Sequence, residues 1–450
     1  MVKLLLLVVV LAFASCVKDI KISEPINLDP HHITKEQAIK NMYSAYGQLY
    51  GGTRFLTSGF TIQTLKSSHL KHRAVTRNSG DSPLPEDVLY IVNFDEGGFA
   101  VLAADDRIEP VICITESGSL SVDDFQLFDQ TDTLTQLELN EFIGGVIVQY
   151  VQKPELWQWN EGDDIFIGEG GGGGEIIPPF VNYVAPLLTT KWGQCYPYNM
   201  FCPPVPSNGD WYDYKAAAGC IAISIAQIIA YHGKPAVNSV QWTPSGVVPL
   251  GNNPNPDYVV NSTWSDIKNH NFNSPQFTII NGKRYPGPDT TSQDTIMYPY
   301  IGRIVRSIGD DIDMNYGEQS WALYWNIDNY FRDMGYTSNF YWGFNWNINL
   351  VLTNLRAGRP VIVGANFSTG HSWVVDGYKY VTEKLNSDGT AVLGNFLMVH
   401  CNWGWRGDSD GYYLSDVFDS TDPNIEYDSE TGNYQNFDYT WLFNIVTVIP

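Results

Sequence analysis

The stretch GCIAISIAQIIAYHGKP, residues 219–235, decides how the second half of the chain folds. After Cys220, isoleucines recur at i, i+4, i+7 and i+8, which predicts an amphipathic helix with one buried face. Gly233 and Pro235 supply a stop signal. Cys220 therefore opens the helix, where the positive end of the helix dipole favours a thiolate. The alternative is an inert core thiol, because free cysteine is also a small hydrophobe.

Charge and composition restrict the class of protein. The 450 residues include 26 Lys and Arg against 49 Asp and Glu, for a formal net charge of −23 that is spread along the chain. Such a charge argues against nucleic acid or anionic lipid as a partner. The length allows about two to four domains, and an aromatic content of 14% is unlike that of disordered chains.

The first 16 residues are typical of a bacterial signal peptide, with one basic residue, a short apolar run and small residues before Cys16. The run is too short to cross a bilayer comfortably. Small residues directly before a cysteine resemble a lipobox, in which Cys16 is the site of lipid attachment, although Phe13 stands where leucine is usual. We expect an exported protein, either a cell-envelope lipoprotein (outer membrane or periplasm) that meets the membrane only through its lipid, or a secreted protein.

Three further segments follow the signal peptide. Residues 17–162 predict a small α+β unit, with a helix capped by Thr34, a hairpin of strands 89–94 and 99–104, and a strand at 111–114. Residues 163–183 contain five consecutive glycines, which predict a flexible linker open to proteolytic cleavage. Residues 184–450 form the second unit. In that unit, residues 236–300 suggest a surface insertion with sparse strands.

The cysteines and histidines show no metal-ligand spacing, so neither a metal nor a cofactor is expected. The chain has six cysteines, and removal of Cys16 leaves an odd number. Cys195 and Cys202 lie seven residues apart in a loop, and whether they form a disulfide stays open.

A cysteine nucleophile needs a base, and the second unit offers four histidines. His232 lies on the helix of Cys220, about 18 Å away at the usual helical rise, which is too far. His270 sits in a polar loop without other supporting features. His371 and His400 remain, on the two strands of a predicted hairpin.

The hairpin favours His371. If its turn centres on residues 387–388, residues whose numbers sum to about 775 face each other. His371 then lies within two residues of Asn402, on the adjacent strand about 4.8 Å away, whereas His400 lies deeper in the sheet. Cysteine, histidine and asparagine so placed form a complete set for nucleophilic catalysis. The alternative is that His371 is an ordinary polar residue at the start of a strand.

These residues resemble the streptopain-like cysteine peptidases, which have a papain-like fold. The similar motifs span nearly the whole chain and lie at 190–194, 197–199, 219–222, 226–227, 231–235, 370–377 and 402–412. Residues 90–93 and 97–107 are similar to the inhibitory propeptide of that family. The chain departs from the family at 320–322, where Ser-Trp-Ala replaces a loop richer in glycine and serine, which leaves the subsite preference open.

The resemblance implies a role for each site residue. Cys220 would be the nucleophile and His371 the base. Gln194 would donate its side-chain amide to the oxyanion, and Asn402 or Trp403 would orient His371. The substrate cleft would be lined by Gly370 and Ser320.

The predicted fold class is thus α+β: a peptidase domain with a helical part that carries Cys220 and an antiparallel sheet that carries His371 and Asn402, preceded by the small α+β prodomain. The predicted function is a cysteine endopeptidase made as a zymogen, with protein or peptide substrates and its own propeptide as intramolecular inhibitor. Two alternatives stay open: another thiol acyl-transfer enzyme on the same machinery, and a non-catalytic surface binding protein.

Overall fold

The computed structural model describes the greater part of the chain. The described residues are 29–51, 59–70, 84–125, 139–157, 183–205, 215–271, 277–280, 283–286, 294–317, 319–342, 346–366, 370–385, 391–418, 426–428, 433–435 and 442–450. The predicted signal peptide with Cys16 and the glycines of the predicted linker lie outside them, and the domain boundaries stay a prediction.

Helices and strands are distributed along these residues. The helices are α1 (Lys35–Tyr50), α2 (Leu139–Val151), α3 (Cys220–His232), α4 (Trp264–Lys268), α5 (Asp294–Asp311), α6 (Tyr324–Asp333) and α7 (Ile348–Arg356). The strands are β1 (Phe60–Lys66), β2 (Asp87–Phe94), β3 (Phe99–Ala103), β4 (Val111–Thr115), β5 (Tyr183–Val184), β6 (Val240–Thr243), β7 (Gly246–Pro249), β8 (Phe277–Ile280), β9 (Lys283–Pro286), β10 (Thr337–Tyr341), β11 (Val361–Asn366), β12 (His371–Leu385), β13 (Ala391–Asn402), β14 (Gly411–Leu414), β15 (Glu426–Asp428), β16 (Asn433–Gln435) and β17 (Leu442–Ile449).

Within the described part, eleven strands form one antiparallel sheet in the order β1-β2-β3-β4-β14-β13-β12-β11-β17-β10, with β5 beside β12. The N-terminal strands therefore continue the sheet of the C-terminal half. The junction is the pairing of β4 with β14, where Thr115 faces Gly411 and Cys113 faces Tyr413. This pairing satisfies the backbone groups of two strands that would otherwise be sheet edges.

The α+β class predicted from the sequence is confirmed, and α3 begins and ends where the sequence placed it. Gly219 precedes it with a φ of 90°, and Gly233 follows in the left-handed region. The φ of Gly219 is one that residues with a Cβ rarely adopt, so glycine is favoured there, and a Cβ would also lie 2.5 Å from Met314 Cε at the end of that flexible side chain. One detail differs: residues 221–230 are all buried, so α3 is enclosed on all sides rather than on one face.

The two predicted hairpins are confirmed, whereas the prediction for residues 236–300 differs from the structure. The hairpin of β2 and β3 and the hairpin of β12 and β13 are both present. The prediction of sparse strands for 236–300 is incomplete, because α4 lies in that segment and α5 begins there; both helices contact α3. Pro299 within α5 is a residue that usually interrupts helices, which explains why the sequence did not predict it.

Two apolar cores flank the part of the sheet that carries His371. Trp373 and Val375 of β12 belong to the core shared with the N-terminal region, whereas Val374 belongs to the core around α3. This alternation follows from the two-residue period of a strand. It places His371 on the Trp373 face and Ser372 on the face of α3.

Candidate active site

Cys220 meets the beginning of β12 at the N-terminus of α3. Its sulfur is desolvated, which raises the pKa of the thiol, while hydrogen bonds from the backbone N–H groups of Ser372, Ile221 and Cys220 itself act in the opposite direction. Desolvation is the larger effect, so the neutral thiol is favoured in this state. The Ser372 contact places the sulfur one residue along the strand from His371.

The imidazole of His371 is held by aromatic rings and by a backbone carbonyl. Its Nε2 lies 2.9 Å from the carbonyl oxygen of Trp403, which can only accept, so Nε2 carries the proton. The ring stacks on Trp373 at 6.3 Å and on Trp403 at 6.2 Å. Only 8% of His371 is exposed. This burial lowers the pKa of His371 to about 4, against the opposing effect of the Trp403 carbonyl.

Cys220 and His371 are thus both neutral in this state. The recorded hydrogen bonds of the sulfur and of Nε2 go to backbone groups, and the imidazole lies on the sheet face opposite α3. The sulfur contacts the backbone of Ser372, the residue after His371, and the protonation states favoured by burial are those of a resting thiol and a neutral imidazole.

Phe142 of α2 covers the imidazole from the N-terminal region. Its ring contacts those of His371 at 5.4 Å, Trp373 at 5.7 Å and Trp403 at 5.8 Å, each edge to face. Phe142 is itself 1% exposed. Sequence reasoning missed it, although the apolar run of α2 was available as the signal of a buried helix.

Because His371 is buried in its neutral form, its contribution to the stability of the chain depends on pH. A neutral buried histidine with a pKa of about 4 disfavours protonation, so its contribution to stability is fully present above the ordinary pKa of about 6.5 and is lost as pH falls towards 4. Between pH 8 and pH 5 we expect the uncut chain to lose about 2 kcal/mol of unfolding free energy through this residue. Denaturant unfolding of the wild type and of His371→Asn at both pH values measures this loss of unfolding free energy. An equal loss in the variant would contradict the assignment.

Gln194 lies next to the start of α3. Its backbone carbonyl accepts a hydrogen bond of 2.8 Å from the N–H of Ala218, two residues before Cys220. The side chain is half-buried. The structure therefore holds the backbone of Gln194, the predicted oxyanion donor, two residues from the predicted nucleophile.

Asn402 makes different hydrogen bonds from the one expected. Its Oδ1 accepts from Gln227 Nε2 at 3.0 Å and from the N–H of Gly404 at 3.2 Å, and its Nδ2 donates to the carbonyl of Thr190 at 2.8 Å. The contact with His371 is made instead by the carbonyl of the next residue, Trp403. The strand register explains this difference. Asn402 pairs with Val374, so the numbers of facing residues sum to 776 here rather than to the expected 775. Asn402 therefore shares the α3 face of the sheet with Val374 and not the face of His371.

The Trp403 backbone is fixed from its other side as well. Its N–H donates to Asp410 Oδ1 at 2.9 Å, and burial raises the pKa of Asp410 to about 7.

His400, the other histidine of the predicted hairpin, pairs with Asp376 at 2.6 Å. His400 is therefore engaged with Asp376 within the sheet.

The remaining predicted residues lie around this centre. Ser320 is 9% exposed, and its hydroxyl donates to the carbonyl of Ala217 at 2.6 Å, so it fixes the approach to Cys220. Gly370 is exposed beside His371. Cys195 and Cys202 are thiols, so the disulfide left open above is not formed in this structure.

The described residues also bear on metal binding and on membrane crossing. They contain no group of three or more His, Cys, Asp or Glu side chains close enough to hold a metal ion. None of their helices combines the length and the apolar character needed to cross a bilayer.

Comparison with known proteins identifies a matching family and several similar proteins. Residues 192–413 match the Peptidase C10 family. Streptopain of Streptococcus pyogenes is 24% identical over 350 residues, which cover 73% of this chain and 74% of streptopain. The thiol protease/hemagglutinin PrtT of Porphyromonas gingivalis is 25% identical over 254 residues, 52% of this chain and 24% of PrtT. A solved fragment of Prevotella intermedia prointerpain A aligns with a TM-score of 0.46 and 20% identity, covering 86% of this chain and 98% of the fragment.

Proposed function

Because this chain is a streptopain-like cysteine peptidase, we propose that it is an exported endopeptidase made as an inactive precursor, with Cys220 as nucleophile and His371 as base. The observation that carries the proposal is the contact of Phe142 with His371. A residue from the N-terminal region covers the imidazole of the base and lowers its exposure.

The protonation states support the proposed precursor state. A cysteine peptidase needs a thiolate paired with an imidazolium, whereas burial here raises the pKa of Cys220 and lowers that of His371. Departure of α2 would expose the imidazole to water, return its pKa towards the ordinary value and leave the ring free to turn from the Trp373 face towards Cys220. Cleavage in the linker at 163–183 is the proposed trigger. Residues 17–162 are then an intramolecular inhibitor.

The proposed reaction uses the residues in sequence. His371 takes the thiol proton, and the Cys220 sulfur attacks the carbonyl carbon of a peptide bond in a protein or peptide substrate. The oxyanion that forms accepts hydrogen bonds from the Gln194 side chain and the Cys220 backbone N–H. His371 then gives its proton to the leaving amine, which leaves a thioester. Water, deprotonated by His371, hydrolyses the thioester and restores the thiol.

The position of Gln194 supports the oxyanion role, because its backbone carbonyl accepts from the N–H of Ala218, two residues before Cys220. Trp403 supports the orienting role through its carbonyl, which holds Nε2 of His371. Gly370 and Ser320 flank this centre and are proposed to border the substrate cleft. Export with a lipid on Cys16 is proposed from the sequence pattern alone.

Two assays test the proposed function: the hydrolysis of casein, and the labelling of Cys220 by an irreversible thiol probe. An epoxysuccinyl peptide should label Cys220 in linker-cleaved protein and stop the hydrolysis of casein, and intact residues 17–450 should do neither at a comparable rate. Failure to label Cys220 would favour a binding protein. Labelling without hydrolysis of any unfolded protein would favour another acyl-transfer reaction, and a constitutively active intact chain would contradict the precursor.

A further inference from the structure

Gln227 joins three segments of the site without touching the reacting atoms. It is fully buried on α3, seven residues after Cys220, which places it about 10 Å along the helix. Its Nε2 donates to Asn402 Oδ1 at 3.0 Å, and its Oε1 accepts from the backbone N–H of Trp192 at 3.4 Å.

Asn402 completes the connection. Its Nδ2 donates to the carbonyl of Thr190 at 2.8 Å, and its Oδ1 also accepts from the N–H of Gly404 at 3.2 Å. The two buried amides therefore hold residues 190–192 between α3 and the end of β13. Each amide uses both its donor and its acceptor side, so neither is exchangeable for an apolar or a singly bonding group without leaving a buried polar atom unsatisfied.

The three joined segments carry the groups of the proposed reaction. The helix carries Cys220, residues 190–192 lead to Gln194, and Asn402 leads to Trp403, whose carbonyl holds His371. We propose that Gln227 is a positioning residue that fixes the spacing between the nucleophile, the oxyanion donor and the segment that faces the base. The inference rests on the proposed function and explains why Asn402 is turned towards α3.

The test replaces Gln227 with a group whose donor depends on pH. In Gln227→Glu the oxygen that faces Trp192 is retained, but an ionised carboxylate presents an acceptor to Asn402 Oδ1. A protonated carboxyl donates there instead, and burial favours that form. Relative to wild type at the same pH, we expect kcat to fall about tenfold at pH 8 with KM within about twofold, and to recover to within about threefold at pH 5.

Gln227→Met gives a second variant of similar length that makes neither hydrogen bond. We expect its kcat to be low at both pH values, so the proposal stays testable if the glutamate variant does not fold. Asn354→Asp is the matched control, because it places a carboxylate at another buried helical amide whose oxygen accepts from Arg359. Its pH profile should follow the wild type.

All three variants are assayed on casein in whichever form of the protein, intact or linker-cleaved, is active. A normal kcat for Gln227→Glu at pH 8, an unchanged pH profile, or the same profile in Asn354→Asp would overturn the role of Gln227. Those outcomes are separate from failure of the proposed function, which would appear as casein hydrolysis retained by Cys220→Ala.

Discussion

Replacing Cys220 with alanine is expected to lower kcat/KM for casein-derived peptides at least about ten-thousandfold, because the covalent step disappears and the rest of the site cannot replace a nucleophile. The fold should be preserved, since alanine is compatible with the helix start and the buried residues 221–230 of α3 are unchanged. The measurement is steady-state hydrolysis by linker-cleaved protein, with circular dichroism to verify the fold.

Cys202→Ala is the matched control, because Cys202 is a buried thiol in the same half of the chain. It should retain activity within a few-fold. Substantial hydrolysis by Cys220→Ala would remove the assigned nucleophile, and a comparable loss in Cys202→Ala would indicate that removal of any thiol disturbs the fold.

Replacing Phe142 with alanine is the second large change, and it is expected to activate the uncut chain. Truncation of a buried phenylalanine costs about 3–5 kcal/mol, and each 1.4 kcal/mol is about a tenfold change in an equilibrium. We therefore expect alkylation of Cys220 by iodoacetamide at pH 7 to be at least about a hundredfold faster in uncut Phe142→Ala than in the uncut wild type. The measurement follows the rate at which the peptide that contains Cys220 is alkylated.

Leu102→Ala controls for general weakening of the N-terminal region. Leu102 is fully buried in β3, away from the rings of the site. Its truncation removes apolar contacts while leaving the Phe142–His371 contact in place. If both variants accelerate alkylation equally, stability of the region rather than cover of the imidazole controls access. If neither does, Phe142 is not what holds the precursor closed.

The contrast between these two experiments reflects how the site is built. Cys220 is defined by local sequence, as the first residue of a helix that its own glycines and isoleucines specify. Phe142 is defined by packing alone. It lies 229 residues before His371 in the chain, and no periodicity in either segment relates the two.

The sequence alone determined a large part of the molecule. Glycines and apolar spacing fixed both ends of α3, because capping and helical periodicity are local properties. The turn between β12 and β13 brought the register within one residue of that observed, since a hairpin register follows from its turn. Together with Gln194, these elements identified the residues that the structure gathers at one end of the sheet.

Tertiary structure decided the rest. It joined β4 to β14, turned Asn402 towards Gln227, and placed His371 on the Trp373 face under Phe142. A one-residue difference in register moves a hydrogen bond from a side chain to its neighbour's backbone, and which helix covers a sheet face depends on long-range packing. The proposed reactive residues can therefore be recognised from local sequence, whereas the protonation states of Cys220 and His371 depend on the residues that pack over them.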